Sequence, residues 1–258
     1  MKTALITGAS SGIGLELARL FAKSHYNLML VARREEKLKE IGQELENDYG
    51  ITVNPIQMDL IETDAPSRLY DRIKEQNAKI DVLINNAGFG YHGAFKNTDW
   101  ETERAMIQLN ITTLTDLTKR FLKDMLERNH GKILNVSSTA AFFAGPNMSV
   151  YYATKAYVQS FTEAIAFELR KTGVTVSALC PGPTNTEFQE RAGVENSALF
   201  SSKTTPVMSA KEVAQIGYKG LMNEKTVIIP GFFNKISVKS SGITPGFISN
   251  RIIESLHK

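Results

Sequence analysis

The chain of 258 residues carries 30 basic and 27 acidic side chains, a net charge of +3, and 42% of it is hydrophobic. That length suits one large α/β domain with a substantial core, and the interspersed charges form no basic stripe of the kind that marks a nucleic-acid surface. No run approaches the roughly twenty apolar residues of a membrane-spanning helix, and the single cysteine, Cys180, rules out an internal disulfide and fits a reducing, cytoplasmic setting.

The first strand is expected at Thr3-Ala4-Leu5-Ile6, two residues after Met1, which leaves no room for a signal peptide. The turn Thr7-Gly8-Ala9-Ser10-Ser11-Gly12-Ile13-Gly14 follows, and then a helix to Lys23 with Ile13, Leu17 and Leu20 on one face. Side chains are nearly absent between strand and helix. Glycine there lets backbone approach a dinucleotide pyrophosphate, while the helix's free N–H groups and positive dipole end attract the anion. Gly8, Ser10, Ser11, Gly12, Ile13 and Gly14 are therefore cofactor candidates; the alternative is a plain tight turn, against which the flanking strand and helix argue.

Strand-like runs recur at Asn27 to Val31, Ile51 to Ile56, Val82 to Asn85, Lys132 to Val136, Val174 to Leu179 and Thr226 to Ile229. Helical patterns lie between them at Glu35 to Asp48, Ala65 to Asn77, Trp100 to Arg128, Tyr151 to Lys171 and Ser209 to Asn223. Such alternation predicts a Rossmann-like, doubly wound parallel sheet of about seven strands in the order 3-2-1-4-5-6-7, with helices on both faces. Pro55 suits this order, because the third strand is then an edge. No repeat or linker divides the chain, so residues 1–258 read as one dinucleotide-binding domain in which 183–208 form a substrate loop or lid.

Residues just past each strand should line the ligand crevice. Ala32-Arg33-Arg34 follows the second strand, where an acid would bind ribose hydroxyls in an NAD enzyme; a guanidinium instead suits a 2′-phosphate. The reading is NADP(H) over NAD(H), with Arg33 ahead of Arg34; solvated charges at a helix start are the alternative. Asp59 and Leu60 follow the third strand, Asp59 placed to accept from the adenine amino group or to cap a helix. Asn86, Ala87 and Gly88, after Asn85, read as a wall for the adenosine half or as an asparagine-stabilised turn. No metal ligation is expected.

Tyr151 and Lys155 are one helical turn apart and share a face. A phenol with a pKa of about 10 needs a neighbouring cation to work near neutrality, and Lys155 supplies one. Ser138, just past the fifth strand, is placed to bond a reacting carbonyl or alkoxide. Asn110 falls in the long helix after the fourth strand, to hold a water or fix a backbone kink. Each residue alone has an ordinary structural explanation; their joint occurrence behind a nucleotide turn points to proton donation beside a nicotinamide. Tyr152 also shares a face with Lys155, so spacing alone leaves both tyrosines open.

The combination Thr7-Gly8-x-x-x-Gly12-x-Gly14, Asn85-Asn86-Ala87-Gly88, Asn110, Ser138, Tyr151-x-x-x-Lys155 and Pro181-Gly182-x-x-x-Thr186 resembles the short-chain dehydrogenase/reductase family over nearly the whole chain. The resemblance implies that Tyr151 is the acid–base group, that Lys155 lowers its pKa and binds nicotinamide ribose, that Ser138 orients substrate and that Asn110 maintains a proton relay. Tyr151 and Lys155 thereby count as cofactor contacts too. It also implies that Pro181, Gly182, Thr184 and Thr186 cradle the nicotinamide, and that the protein forms homodimers or homotetramers through the helices near Asn110 and Tyr151. Ser11 departs from the basic residue that NADP-preferring relatives often carry there, so cofactor preference rests chiefly on Arg33.

Phe188, Val194, Leu199, Phe200, Val207 and Met208 in the lid, with Phe89, Tyr91, Phe142 and Phe143 after strand ends, predict an apolar pocket mouth and a small-molecule carbonyl or alcohol with a hydrophobic body. A catalytically silent NADPH-binding regulator or scaffold is the competing reading; it does not need Tyr151 or Lys155. The segment from Gly231, with Phe232, Phe233, Ile236, Phe247, Ile248, Ile252 and Ile253 among basic residues, is read as packing on its own domain, covering substrate or joining subunits, with a membrane surface as the alternative.

Overall fold

In the computed structural model, which describes residues 1–195, 197, 207–241 and 244–256, the apolar runs become the strands of one parallel sheet. In chain order β1 (Thr3–Thr7) leads to α1 (Gly12–Lys23), β2 (Asn27–Ala32) to α2 (Glu35–Tyr49), β3 (Val53–Gln57) to α3 (Ala65–Glu75), and β4 (Val82–Asn85) to α4 (Trp100–Ile107). A wider, π-helical turn over Gln108–Thr113 joins α4 to α5 (Leu114–Glu127), and β5 (Gly131–Val136), α6 (Ser149–Glu168) and β6 (Val174–Leu179) follow. The remaining helices are α7 (Phe188–Ala192), α8 (Ala210–Met222), α9 (Phe232–Ser241) and α10 (Gly246–Leu256), with the seventh strand, β7 (Val227–Ile228), between α8 and α9.

The strand order is β3-β2-β1-β4-β5-β6-β7, as the alternation of elements predicts. Pro55 sits opposite Leu30 on β3, the edge strand, so its missing N–H disrupts no ladder on the outer side. Successive strand residues face opposite sides. Leu5, Met29, Leu83 and Ile133 pack in the core that includes Leu69, Leu117 and Phe121, while Ile6, Leu30, Ile84 and Leu134 join Leu17, Phe21, Leu38 and Val213 on the other face.

Two expectations are refined. The helix predicted over Trp100 to Arg128 is broken by the π-turn that contains Asn110, whose amide bonds to the loop after β4 rather than remaining within a regular helix. The segment 183–208 is not only loop: Thr184–Asn185 pairs with Met208–Ser209, and α7 lies within it. Leu199 and Phe200, assigned to the lid, lie outside the described residues.

A buried polar chain fixes β4 and β5 against their helices. Asn85 Nδ2 donates to Thr118 Oγ1 (3.0 Å) and to Asn135 Oδ1 (2.9 Å), and Asn135 Nδ2 donates to Thr162 Oγ1 (3.0 Å). All four residues are buried, so removing the middle member strands its partners away from water. Asn135→Ala is expected to cost about 1–3 kcal/mol, read as a lower urea midpoint with an unchanged m-value.

Candidate active site

The strand order reverses between β1 and β4, so the loops beyond their carboxyl ends diverge and leave a crevice. Thr7, ending β1, donates its hydroxyl to Ile84 O and accepts from the N–H groups of Asn86 and Ala87, both at 3.0 Å. Asn86 Nδ2 returns hydrogen bonds to the carbonyls of Thr7 and Gly8. The glycine turn and the Asn86-Ala87-Gly88 turn are thus one unit. Gly8 has φ +64°, and a Cβ there would lie 2.8 Å from Asn86 Nδ2; Gly14 packs against Gly8 O, where a Cβ would come within 2.3 Å. At the start of α1, Ser11 makes no side-chain cap, and Ser11, Gly12 and Ile13 line the crevice. A glycine cradle under an uncapped helix N-terminus fits a pyrophosphate.

The resulting cleft has a volume of roughly 770 Å³. Gly8, Ser10, Ser11, Gly12, Ile13, Arg33, Arg34, Asp59, Leu60, Asn86, Ala87 and Gly88 line one part; Ser138, Tyr151, Lys155, Pro181, Gly182, Thr184 and Thr186 line the other. Gly14 and Asn110 stand behind the wall and act through packing and hydrogen bonds. Asp59 Oδ1 accepts from Ile61 N at 3.1 Å, a local turn bond consistent with its capping alternative. Of the aromatic residues expected at the mouth, Phe188 lines the cleft with Val194, Met148 and Tyr152, whereas Phe89, Tyr91, Phe142 and Phe143 are not among its lining residues.

Arg34 donates to Ser10 Oγ (3.0 Å) and pairs with Glu187 (3.0 Å), whose carboxyl is held below its usual range by that bond. Arg33 forms no ion pair among the described residues. Sequence reasoning missed Glu187 and Arg191, which also line the cleft; their charges read as ordinary helix surface until α7 is folded across it.

Tyr151 and Lys155 are buried in the first turns of α6. Lys155 Nζ donates to Val136 O at 3.0 Å and lies 5.7 Å from the centre of the Tyr151 ring. Burial pushes the Tyr151 phenol up to about 12, partly opposed by its hydrogen bond with Ser138. Burial lowers Lys155 to about 8, opposed by Cys180. Desolvation thus disfavours both charged forms, while a Tyr151 phenolate and a Lys155 ammonium would stabilise one another. Tyr152 is also raised, chiefly by burial, and its ring lies against Gly145, where a Cβ would come within 2.3 Å.

Asn110 Oδ1 accepts from Phe89 N, and its Nδ2 donates to Phe89 O (2.9 Å) and Thr154 Oγ1 (3.1 Å). This ties the π-turn to the residue preceding Lys155 and realises the backbone kink. Ser138 Oγ reaches Pro181 O at 3.4 Å, and Gly182 is backed by Asn234 of α9.

The short chain dehydrogenase family matches residues 2–196, and the chain belongs to that family. A 7beta-hydroxysteroid dehydrogenase of Mediterraneibacter gnavus is 32% identical over 237 residues, covering 91% of this chain and 88% of the relative. A short-chain dehydrogenase from Sphingobium yanoikuyae in complex with NADPH is similar at 32% identity and TM-score 0.83, over 94% of this chain and 95% of that one. The bulky-bulky ketone specific alcohol dehydrogenase from Comamonas testosteroni follows at 30% identity and TM-score 0.78, covering 94% and 93%. The protein is an oxidoreductase acting on CH–OH groups.

Because Lys155 holds a proton less firmly when folded, the unfolded chain binds more protons between pH 8 and 10.5, and this group makes stability rise with pH across that window. Lys155→Met removes the contribution. Thermal melts of the two proteins should show the variant gaining most relative to wild type below pH 8, with the gain fading towards pH 10.5.

Proposed function

We propose that the protein transfers a hydride between NADP(H) and a hydrophobic carbonyl or secondary alcohol, with Tyr151 as proton donor, and that carbonyl reduction is the favoured direction. The observation that carries this reading is the buried Tyr151, with Ser138 beside its phenol and Lys155 flanking its ring, in the same cleft as the glycine cradle. The bound cofactor supplies the hydride. Ser138 holds the substrate oxygen, and Tyr151 passes its proton to the oxygen as charge develops there. Lys155 stabilises the phenolate left behind and binds the nicotinamide ribose. Asn110 fixes the relay end by anchoring the π-turn to Thr154. Pro181, Gly182, Thr184 and Thr186 cradle the nicotinamide, and Asp59, Leu60, Asn86, Ala87 and Gly88 the adenosine.

The absence of an acid after β2 and the free guanidinium of Arg33 support NADP(H) over NAD(H). Phe188, Val194 and Met148 support an apolar substrate body, in keeping with relatives named for hydroxysteroid and bulky ketone substrates. The exposed Tyr157 and Phe167 on α6 and Leu126 on α5 support pairing of subunits through these helices, in a cytoplasmic protein.

An assay of NADPH absorbance against hydrophobic ketones and small charged aldehydes tests the reading; turnover confined to the charged compounds would overturn the substrate class. Tyr151→Phe is expected to lose at least about 10²-fold in kcat while still binding NADPH, whereas Tyr152→Phe keeps most activity. The reverse pattern reassigns the proton donor. Arg33→Asp should weaken NADPH by about tenfold or more and improve the relative use of NADH; an unchanged preference removes Arg33 from discrimination.

A further inference from the structure

Helix α7 spans the cofactor cleft and is held on both sides. At its start, Glu187 pairs with Arg34, and Thr186 Cγ2 lies 3.1 Å from where a Cβ on Gly12 would stand. Its first residue, Phe188, packs its ring 5.4 Å from that of Tyr151, and at its end Ala192 O accepts from His92 N (3.1 Å). Between these anchors Arg191 lays its guanidinium over the Phe89 ring, 4.8 Å from its centre.

Three guanidiniums therefore converge on one cleft, and they are not equivalent. Arg34 is engaged by Glu187 and Ser10. Arg33 and Arg191 make no ion pair or side-chain hydrogen bond among the described residues, although both line the cleft. Arg191 is partly open to solvent; burial against its neighbours, then the nearby charges of Arg33 and Arg34, lower its pKa, with Asp59 acting in the opposite sense. Asp59, Glu187 and Glu190 also line the cleft, but among the described residues only Glu187 pairs with one of these arginines, which leaves the Arg33 and Arg191 guanidiniums open to an anionic ligand, and planar guanidiniums suit phosphate oxygens. The uncapped N-terminus of α1 lines the same cleft.

We propose that Arg191 is a phosphate ligand carried by α7, which contacts the ADP half of the cofactor together with Arg33 and couples the seating of this helix to dinucleotide binding. The proposal rests on the dinucleotide-binding reading above and deepens it: part of the phosphate recognition comes from the segment that also places Phe188 beside Tyr151, so the cofactor completes the substrate pocket as it binds.

The test uses the intact protein and its Arg191→Gln and Arg191→Lys variants, with dissociation constants for NADPH and NADH measured by nucleotide fluorescence. Arg191→Gln is expected to weaken NADPH by about tenfold, with partial recovery in Arg191→Lys and a smaller salt dependence of binding. An equal loss for NADH assigns the contact to the pyrophosphate; a loss for NADPH alone assigns it to the 2′-phosphate. Both support the proposal. Binding of both nucleotides within about twofold of wild type, in a variant with an unchanged melting temperature, overturns it. Failure of the NADP(H) reading is separately visible: Arg33→Asp would then leave the NADPH-to-NADH ratio unchanged whatever Arg191→Gln does.

Discussion

The hydrogen-bonded lock between the ends of β1 and β4 is the constraint on which the rest of the site depends. Parallel order reverses there, so backbone that would otherwise continue into neighbouring loops is free to part and form a crevice. Thr7 and Asn86 keep the parting narrow by satisfying each other's backbone groups. Only glycine at position 8 tolerates that closeness, with positive φ and Asn86 directly against it. The glycine turn and the Asn86-Ala87-Gly88 turn are thus one rigid object.

The catalytic half is built by a different physical principle. Tyr151 and Lys155 sit in the first turns of α6 with little access to water, where burial disfavours phenolate and ammonium alike. Such a pair needs a scaffold that does not yield, and the buried chain from Asn85 through Asn135 to Thr162 provides one by tying β4 and β5 to α6. Asn110 adds a second tie, from the π-turn to Thr154 and to the loop that carries Phe89. The same burial that makes the Lys155 ammonium costly to folding also pushes the Tyr151 phenol up.

Much of this was legible in the chain. The strand order followed from alternating strand and helix patterns, and Pro55 marked an edge because a missing N–H is harmless only there. The glycine turn was legible because glycine leaves a local signature, and the shared face of Tyr151 and Lys155 because four residues make about one helical turn, although spacing alone left Tyr152 open beside Tyr151. What escaped was non-local. The π-turn around Asn110, a residue the sequence already marked as one to hold a water or fix a kink, lay in an apparently continuous helix, since such a widening leaves no periodic trace. Phe89, Tyr91, Phe142 and Phe143 follow strand ends as cleft residues do, yet they are not among its lining residues, and only packing decides that. Between Tyr151 and Tyr152 the family pattern had already chosen Tyr151, and the structure adds Ser138 beside that phenol and Gly145 beside the other ring.

By itself the sequence determined the family and the doubly wound sheet with its strand order, because each depends on the spacing of motifs along the chain or on the order of elements. Tertiary structure alone decided how the three arginines differ. Arg34 meets Glu187 from a helix 153 positions away, and Arg191 reaches the cleft only because α7 is folded over it. Charge pairing is a matter of distance in space, and a chain read residue by residue carries no record of which distant groups will meet.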